Sequence, residues 1–172
     1  MIVKARLEDA ALLSRIGAQS FVPSHIESAP AHEIDTYVAK TYSLSAIKQE
    51  LTNPENIYHL IKHEGKVAGF SKMELDRKHW AIEEEDVSKM DQIYLLPEFY
   101  GLRLGAKLLE FNIQLSKSKG QSGMWLVVWI GNHQAIGFYK KFGFYIAKSD
   151  VFHLTDTHTN PCYIMHLNYD AG

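Results

Sequence analysis

The stretch 91–144 constrains the fold more than any other part of the chain, because strand-like and helix-like segments alternate there with small or polar residues between them. Pro97 ends the first strand, and a helical spacing of apolar residues follows over 104–118. The apolar run 124–130 is the length of a strand, and the segment 132–142 predicts a short, capped helix. Strands and helices that alternate in this way form a sheet with helices on its faces.

The segments on either side of this stretch extend the alternation. The first part of the chain predicts a strand over 2–6, a helix over 8–21, a loop over 22–30 and a mostly helical segment over 34–53. Strands over 57–63 and 67–75 follow, then a loop or short helix over 77–88 and a strand over 90–96. The chain closes with strands over 144–152 and 162–169 and a polar loop between them. Gly65 supplies the tight turn that joins an antiparallel pair of strands. This order predicts a single α/β (α+β) domain over 1–172 with a mixed sheet.

The charge balance argues against a nucleic-acid partner. The chain of 172 residues carries 18 Lys and Arg against 20 Asp and Glu, which gives a formal net charge of -2. No segment concentrates the basic residues that neutralising a run of phosphates requires. We therefore expect no nucleic acid among its partners.

The apolar runs and the cysteine content predict a cytoplasmic protein without a membrane partner. The run Met124 to Ile130 is far shorter than the roughly 20 residues that span a bilayer. Cys162 is the only cysteine, and the N-terminus lacks the basic and apolar regions of a secretory signal. The 9 histidines do not fall at the spacing of known metal-binding motifs, so we expect no metal.

The segment from Phe99 to Lys107 is a candidate phosphate-binding loop. It places two glycines and two cations between a predicted strand and a predicted helix. Free backbone N–H groups at the start of a helix bind phosphate groups well. Glycines also occur at such junctions for purely local reasons, so this loop alone leaves both interpretations open.

A more specific pattern lies between Asn132 and Phe144, where the sequence follows N-x-x-A-I-x-F-Y-x-K-x-G-F. This pattern resembles the signature of the GNAT superfamily of N-acetyltransferases. The strand 93–95, Pro97 and the phosphate-type loop precede it in the order of that family's acetyl-coenzyme A (acetyl-CoA) site. Within the family, the Trp-x-x-Val-Trp strand over 125–129 and the run Phe138–Lys141 resemble PaiA-type spermidine/spermine acetyltransferases.

This resemblance implies both a fold and a co-substrate. The fold is GNAT-like, a mixed and mostly antiparallel sheet of about seven strands with about four helices on both faces. The co-substrate is acetyl-CoA. Its implied contacts are Ile93, Tyr94 and Leu95 for the pantetheine arm, Gly101, Leu102, Arg103, Leu104, Gly105 and Ala106 for the pyrophosphate, and Asn132, Ala135, Tyr139 and Lys141 for the rest of the coenzyme.

Tyr139 also has an implied catalytic role, because a neutral phenol keeps its proton at neutral pH until negative charge appears on the departing sulfur. The phosphate loop departs from the family pattern, which usually has Gln or Arg, then Gly, where this chain has Tyr100 and Arg103. Only Gly105 is retained. We expect this departure to act on the affinity for the coenzyme.

The sequence is less specific about the residues that bind and deprotonate the acceptor amine. An amine must lose a proton before it attacks a thioester, and Asp91, just before the coenzyme strand, is the candidate base. The acidic run 83–86 and a chain of water molecules are alternatives. Within that run, Glu84 and Glu85 are candidates for attracting a cationic acceptor, with a solvated face as the other interpretation. Phe21 and His25 fall where the family binds its acceptor, and a packing role is equally open for both.

The sequence therefore predicts an acetyl-CoA-dependent N-acetyltransferase that acts on a small primary amine by direct transfer, with a polyamine as the candidate acceptor. A catalytically inactive acyl-CoA sensor is one alternative, and an acetyltransferase that modifies proteins or peptides is another. Homodimerisation is also an open expectation. Retention of Tyr139 favours an enzyme, because a sensor needs no proton donor.

Overall fold

The computed structural model describes residues 1–170, which contain seven strands and five α-helices. In chain order these are β1 (Ile2–Lys4), α1 (Ala10–His25), α2 (Ala31–Thr41), α3 (Leu44–Thr52), β2 (Asn56–His63), β3 (Lys66–Glu74), β4 (Val87–Leu95), α4 (Leu104–Ser118), β5 (Gly123–Trp129), α5 (His133–Lys141), β6 (Tyr145–Thr155) and β7 (His158–Asn168). Short 3-10 turns precede α1 at Leu7–Asp9 and follow β4 at Pro97–Phe99.

The strands form one sheet in the order β1-β2-β3-β4-β5-β7-β6. Every neighbouring pair is antiparallel except β4 and β5, which run parallel. This is the predicted fold class, a mixed and mostly antiparallel sheet, and it is confirmed. The parallel pair needs a long crossover connection, which α4 supplies.

The parallel pair is short, and this opens the sheet. Pairing of β4 with β5 is confined to Val87–Lys89 opposite Gly123–Trp125, and beyond it the two strands diverge. A bulge lies just past this point, because Lys72 of β3 faces Gln92 while Met73 faces Met90, which leaves Asp91 unpaired. Bulges re-aim the side chains beside them.

Two apolar cores hold the helices to the faces of the sheet. The helices α1, α2 and α3 cover one face through a core that includes Leu13, Ile16, Ile34, Ile47, Leu60 and Phe70. The helices α4 and α5 cover the other face, through a core that includes Leu109, Ile113, Met124, Leu126, Ile136 and Met165. Within the first core, Gly17 lets the ring of Tyr42 approach, since a Cβ at that position would lie 2.3 Å from its Cδ1.

The segment 34–53, predicted as one mostly helical stretch, is two helices, so the fold has five helices rather than about four. Ser43 separates the two helices, because it is the N-cap residue of α3. Its hydroxyl accepts a hydrogen bond from the N–H of Ala46 at 3.2 Å. The predicted loop over 22–30 is also shorter than expected. Helix α1 continues through Pro23 to His25, whose ring nitrogen contacts the carbonyl of Phe21 at 3.1 Å.

Two strand boundaries also differ from expectation. Strand β4 begins at Val87 rather than at residue 90, because its first residues pair with β5. The predicted polar loop between the last two strands is mostly strand, with Phe152 paired to Asn160 and His153 to Thr159. Threonines suit a half-exposed strand, and cross-strand pairing outweighs the turn preference of the polar residues. Among the helices of residues 1–170, none has the length and apolar character needed to cross a bilayer.

Candidate active site

The divergence of β4 from β5 creates a cleft with a volume of about 1670 Å³. Its lining combines one edge of β4, the start of α4 and one side of α5, which are three elements that no local segment of sequence brings together. Among the residues named from the sequence, the lining includes His25, Asp91, Ile93, Tyr94, Leu95, Gly101, Arg103, Leu104, Gly105, Ala106, Asn132, Ala135, Tyr139 and Lys141. The cleft is large enough for an extended coenzyme.

The loop before α4 presents backbone N–H groups to this cleft. Gly101 has a φ of 80° and Arg103 a φ of 58°, so both adopt the left-handed conformation. Arg103 is the N-cap residue, and no side chain caps the first turn of α4. The free N–H groups and the helix dipole therefore favour an anion at this position, which fits a pyrophosphate group. Arg103 occupies a backbone conformation that suits glycine better, which explains why the family usually has glycine there.

We expect Arg103→Ala to weaken coenzyme A binding by about tenfold. The substitution removes a guanidinium that lines the cleft beside the uncapped helix start, and a hydrogen bond to a charged group contributes about 1.5 to 3 kcal/mol. Calorimetric titration with coenzyme A measures this change. Arg15→Ala is the matched control, because Arg15 is exposed on α1. Equal affinity of both variants would show that the guanidinium does not contact the phosphates.

Tyr139 lies on α5 with its side chain in the cleft. The residue is only 9% exposed, and its ring packs against Phe138 and Phe144. Burial raises the pKa of its phenol, so the hydroxyl stays protonated at neutral pH. Helix α5 is fixed at its start by Asn132, whose side-chain oxygen accepts from the N–H of Ala135 at 3.1 Å. Asn132 also lines the cleft, and its amide NH₂ is a hydrogen-bond donor.

A wall of aromatic rings covers the sheet beside β4. Phe21 is central to it, with ring centroids 4.0 Å from His25, 4.7 Å from Tyr37 and 6.0 Å from Tyr94. Burial lowers the pKa of His25, so its imidazole is neutral at neutral pH. Phe152, from β6, extends the wall at 6.2 Å from Tyr37. Aromatic faces of this kind bind organic cations.

Asp91 lies in the cleft at the bulge of β4 and is bound by two ammonium groups. Its carboxylate oxygens lie 2.7 Å from the Nζ of Lys89 and 3.1 Å from the Nζ of Lys72. Burial opposes ionisation of this carboxyl, but the two lysines outweigh it, so the pKa of Asp91 lies below its usual value. The group is therefore a carboxylate at neutral pH and a weak base.

Lys72 is the hub of this network. It is buried, and it also lies 2.6 Å from Glu50 of α3 and 3.4 Å from Glu74 of its own strand. Burial would lower the pKa of Lys72, but Asp91, Glu50 and Glu74 reverse the effect and raise it. The sequence analysis did not identify this group. Lys72 inside the predicted strand 67–75, between the apolar Phe70 and Met73, was the signal that could have found it, because a charge that is buried requires partners.

Several predicted residues lie elsewhere. Glu84 and Glu85 are outside the cleft, where Glu84 accepts a hydrogen bond from Asn168 and Glu85 pairs with Lys78. Leu102 is exposed, and Phe21 reaches the site through its packing with His25 and Tyr94 rather than by lining the cleft. The structure thus brings together Asp91 and the residues predicted to bind the coenzyme, except Leu102, and leaves the acidic run apart.

Comparisons with known proteins agree with this architecture. The model of the family described as "Acetyltransferase (GNAT) family" matches residues 21–144, which is more than half of the chain. The PaiA N-acetyltransferase of Thermoplasma acidophilum, whose crystal structure is a complex with coenzyme A, has a similar fold, with a TM-score of 0.78, 21% identity and 98% of each chain covered.

Two curated relatives are similar in sequence. A putative [ribosomal protein bS18]-alanine N-acetyltransferase of Bacillus subtilis is 29% identical, over 80% of this chain and 76% of that protein. An uncharacterised N-acetyltransferase of Lactobacillus delbrueckii is 25% identical, over 90% of each chain. With a family match over most of its length and the fold to support it, the chain belongs to the GNAT family of acetyltransferases.

Proposed function

We propose that this protein transfers the acetyl group of acetyl-CoA directly to a primary amine. One observation carries the proposal. A single cleft joins the uncapped N-terminus of α4, which suits a pyrophosphate, to the buried phenol of Tyr139, which suits a departing thiolate. Acetyl-CoA has both groups at the two ends of its pantetheine arm, and the unpaired edge of β4 between them offers backbone groups to that arm.

The residues of the cleft have separate roles in this reaction. The amine nitrogen bonds to the acetyl carbonyl carbon, the carbon–sulfur bond breaks, and Tyr139 gives its proton to the sulfur. The proton from the amine leaves through Asp91 or through water. Asp91 is a weak base, so its main contribution is to hold a cationic acceptor near the thioester.

Direct transfer is supported by the state of the only cysteine in the chain. Cys162 is 2% exposed, and burial raises the pKa of its thiol to about 11. A thiol in this state is a poor nucleophile, since the thiolate is the reactive form. Intersecting double-reciprocal plots are therefore expected, and parallel plots with an acetylated Cys162 would contradict the proposal.

For the acceptor, we propose a di- or polycationic amine such as spermidine. His25 and Tyr94, which are the members of the aromatic wall that line the cleft, and the carboxylate of Asp91 together suit a cation close to the reacting nitrogen. The resemblance of the strand over 125–129 and of Phe138–Lys141 to PaiA-type spermidine/spermine acetyltransferases supports the same choice. A screen that follows release of free thiol from acetyl-CoA with a panel of amines tests it, and higher kcat/KM for neutral aromatic amines than for spermidine would overturn it.

Asp91→Asn is expected to raise KM for spermidine about tenfold, with a smaller change for a singly charged amine of similar length. The reason is loss of one carboxylate from the wall of the cleft. Glu85→Gln is the control, because Glu85 lies outside the cleft and should leave KM unchanged. A fall in kcat that is equal for all amines would instead indicate that Asp91 acts as the base.

A second candidate acceptor is the α-amino group of a protein. The observation that favours it is the similarity to the alanine N-acetyltransferase of Bacillus subtilis. Peptides that begin with alanine, included in the same thiol assay, separate this candidate from the polyamine. Coenzyme A binding without thiol release for any amine or peptide would favour the acyl-CoA sensor.

A further inference from the structure

Strand β6 is an open edge of the sheet that carries exposed apolar side chains. It is the last strand in the sheet order, and within residues 1–170 it pairs only with β7. Tyr145 is 51% exposed and Val151 is 52% exposed, and Ile146 and Phe152 are also exposed. An edge of this length and character invites pairing with another strand.

The backbone of β6 at its centre faces away from β7. Pro161 of β7 accepts a hydrogen bond at its carbonyl from the N–H of Ile130, so the backbone of Pro161 faces β5. Val151 is opposite Pro161, and this pair is therefore not hydrogen-bonded to each other. The N–H of Val151 consequently faces outward, where it donates to the carboxylate of Asp150 at 2.8 Å. By alternation, the N–H and C=O of Ser149 also face outward.

Lys148 and Asp150, on either side of Ser149, share one face of the strand. The Nζ of Lys148 lies 5.5 Å above the ring of Trp80. His79 and Trp80 lie in the loop between β3 and β4, and their rings are in contact. Burial lowers the pKa of His79, and the charge of Asp150 partly offsets this effect, so Asp150 also lies near this loop. The strand therefore carries opposite charges at equal distances on the two sides of Ser149.

We propose that β6 pairs with β6 of a second copy of this chain, antiparallel about a two-fold axis at Ser149. In this register Ser149 faces Ser149, and each Lys148 faces Asp150 of the other copy. The Asp150 carboxylate then exchanges the N–H of Val151 for the ammonium of Lys148, which leaves that N–H to pair with the other strand. Lys148 and Asp150 form a non-hydrogen-bonded pair, in which side chains approach most closely. Like charges at these two positions would repel, so their opposite signs specify this pairing.

The bulge in β6 extends the same complementarity outward. Ile146 and Lys148 pair with adjacent residues of β7, which leaves Ala147 as the extra residue. Past the bulge, Ile146 therefore faces Val151 and Tyr145 faces Phe152 of the other copy. Each of these pairs is apolar, and all four side chains are exposed in the single chain.

Charge reversal tests the register. Sedimentation equilibrium should show a dimer for the unaltered protein, and Asp150→Lys should raise its dissociation constant at least tenfold. Combining Asp150→Lys with Lys148→Asp restores opposite charges across the axis, so the double variant should dimerise again. A monomer at concentrations of tens of micromolar, or a dimer that Asp150→Lys leaves intact, would overturn the proposal. The circular dichroism spectrum of each variant reports whether it is folded.

A cross-link tests the axis directly. Residues that face each other across a hydrogen-bonded pair have Cα atoms about 5.5 Å apart, within the range that a disulfide spans. Ser149→Cys should therefore form a covalent dimer on oxidation, and the buried Cys162 should not interfere. Ser45→Cys, on the exposed face of α3, is the matched control and should remain monomeric. Equal cross-linking of both variants would show random collision rather than a two-fold interface.

Discussion

Tyr139→Phe is expected to lower kcat about 100-fold, the typical contribution of a positioned general acid. Phenylalanine retains the packing of the ring against Phe138 and Phe144 and removes only the proton donor. The dissociation constant for coenzyme A should therefore change by less than about twofold, since only an interaction made late in the reaction is lost. Steady-state kinetics and calorimetric titration give the two quantities.

The pH dependence of kcat provides a second check on Tyr139. Burial raises the pKa of this phenol, so its proton is present at every pH near neutrality. No alkaline decline in kcat that is due to Tyr139 should occur below about pH 10, the ordinary pKa of tyrosine.

Tyr163→Phe is the control for loss of a phenol elsewhere in the same core, and it should leave kcat unchanged. Unchanged kcat in Tyr139→Phe would remove this residue from the chemistry.

Lys72→Met is expected to reduce the free energy of unfolding by about 3 kcal/mol at pH 7, because removing a buried cation leaves three carboxylates with only two cations, Lys89 and Arg77, to compensate them. In this chain the charges left behind are Glu50, Glu74 and Asp91, all within 3.4 Å of the Lys72 ammonium. Denaturant unfolding measures the loss. Lys66→Met, at an exposed position, should change stability by less than about 0.5 kcal/mol.

The difference in the free energy of unfolding between Lys72→Met and the unaltered protein should become smaller as the pH falls. The pKa of Asp91 is lowered in the folded protein, so its contribution to stability is present above the unfolded pKa of about 3.9 and is lost at more acidic pH. The pKa of Lys72 is raised in the folded protein, so its contribution to stability is present throughout the neutral range. That contribution is lost only as the pH rises through the raised pKa. A destabilisation that is constant from pH 7 to pH 3 would contradict this electrostatic account.

A second substitution separates charge from packing in the same network. Without Lys72, the three carboxylates of the network face only the cations of Lys89 and Arg77. Adding Asp91→Asn balances these charges, so it should recover part of the lost stability. Lost packing of the Lys72 side chain, by contrast, would not be recovered by a change at Asp91. This double-mutant cycle therefore measures the coupling between the two residues.

Much of the fold was predictable because it depends on local patterns. The apolar spacing of α4 and the run of β5 each identify an element without reference to the rest of the chain. The cap at Ser43, which divides α2 from α3, is also a local signal, although the sequence analysis predicted one helical segment over 34–53. The roles of Tyr139 and Arg103 came from a resemblance rather than from the residues alone, and they remain predictions.

By itself, the sequence determined the fold class and most of the order of the elements, because periodicity and turn residues act over a few positions. Only the tertiary structure decided that Asp91 faces Lys72 and Lys89, and that Glu84 and Glu85 lie outside the cleft. For Asp91 the physical reason is that side-chain direction in a sheet depends on register, and one unpaired residue in β4 changes it. Glu84 and Glu85 precede β4 in a loop, whose path depends on contacts with distant residues such as Asn168. The same holds for the cleft, which exists because β5 pairs with only the first residues of β4.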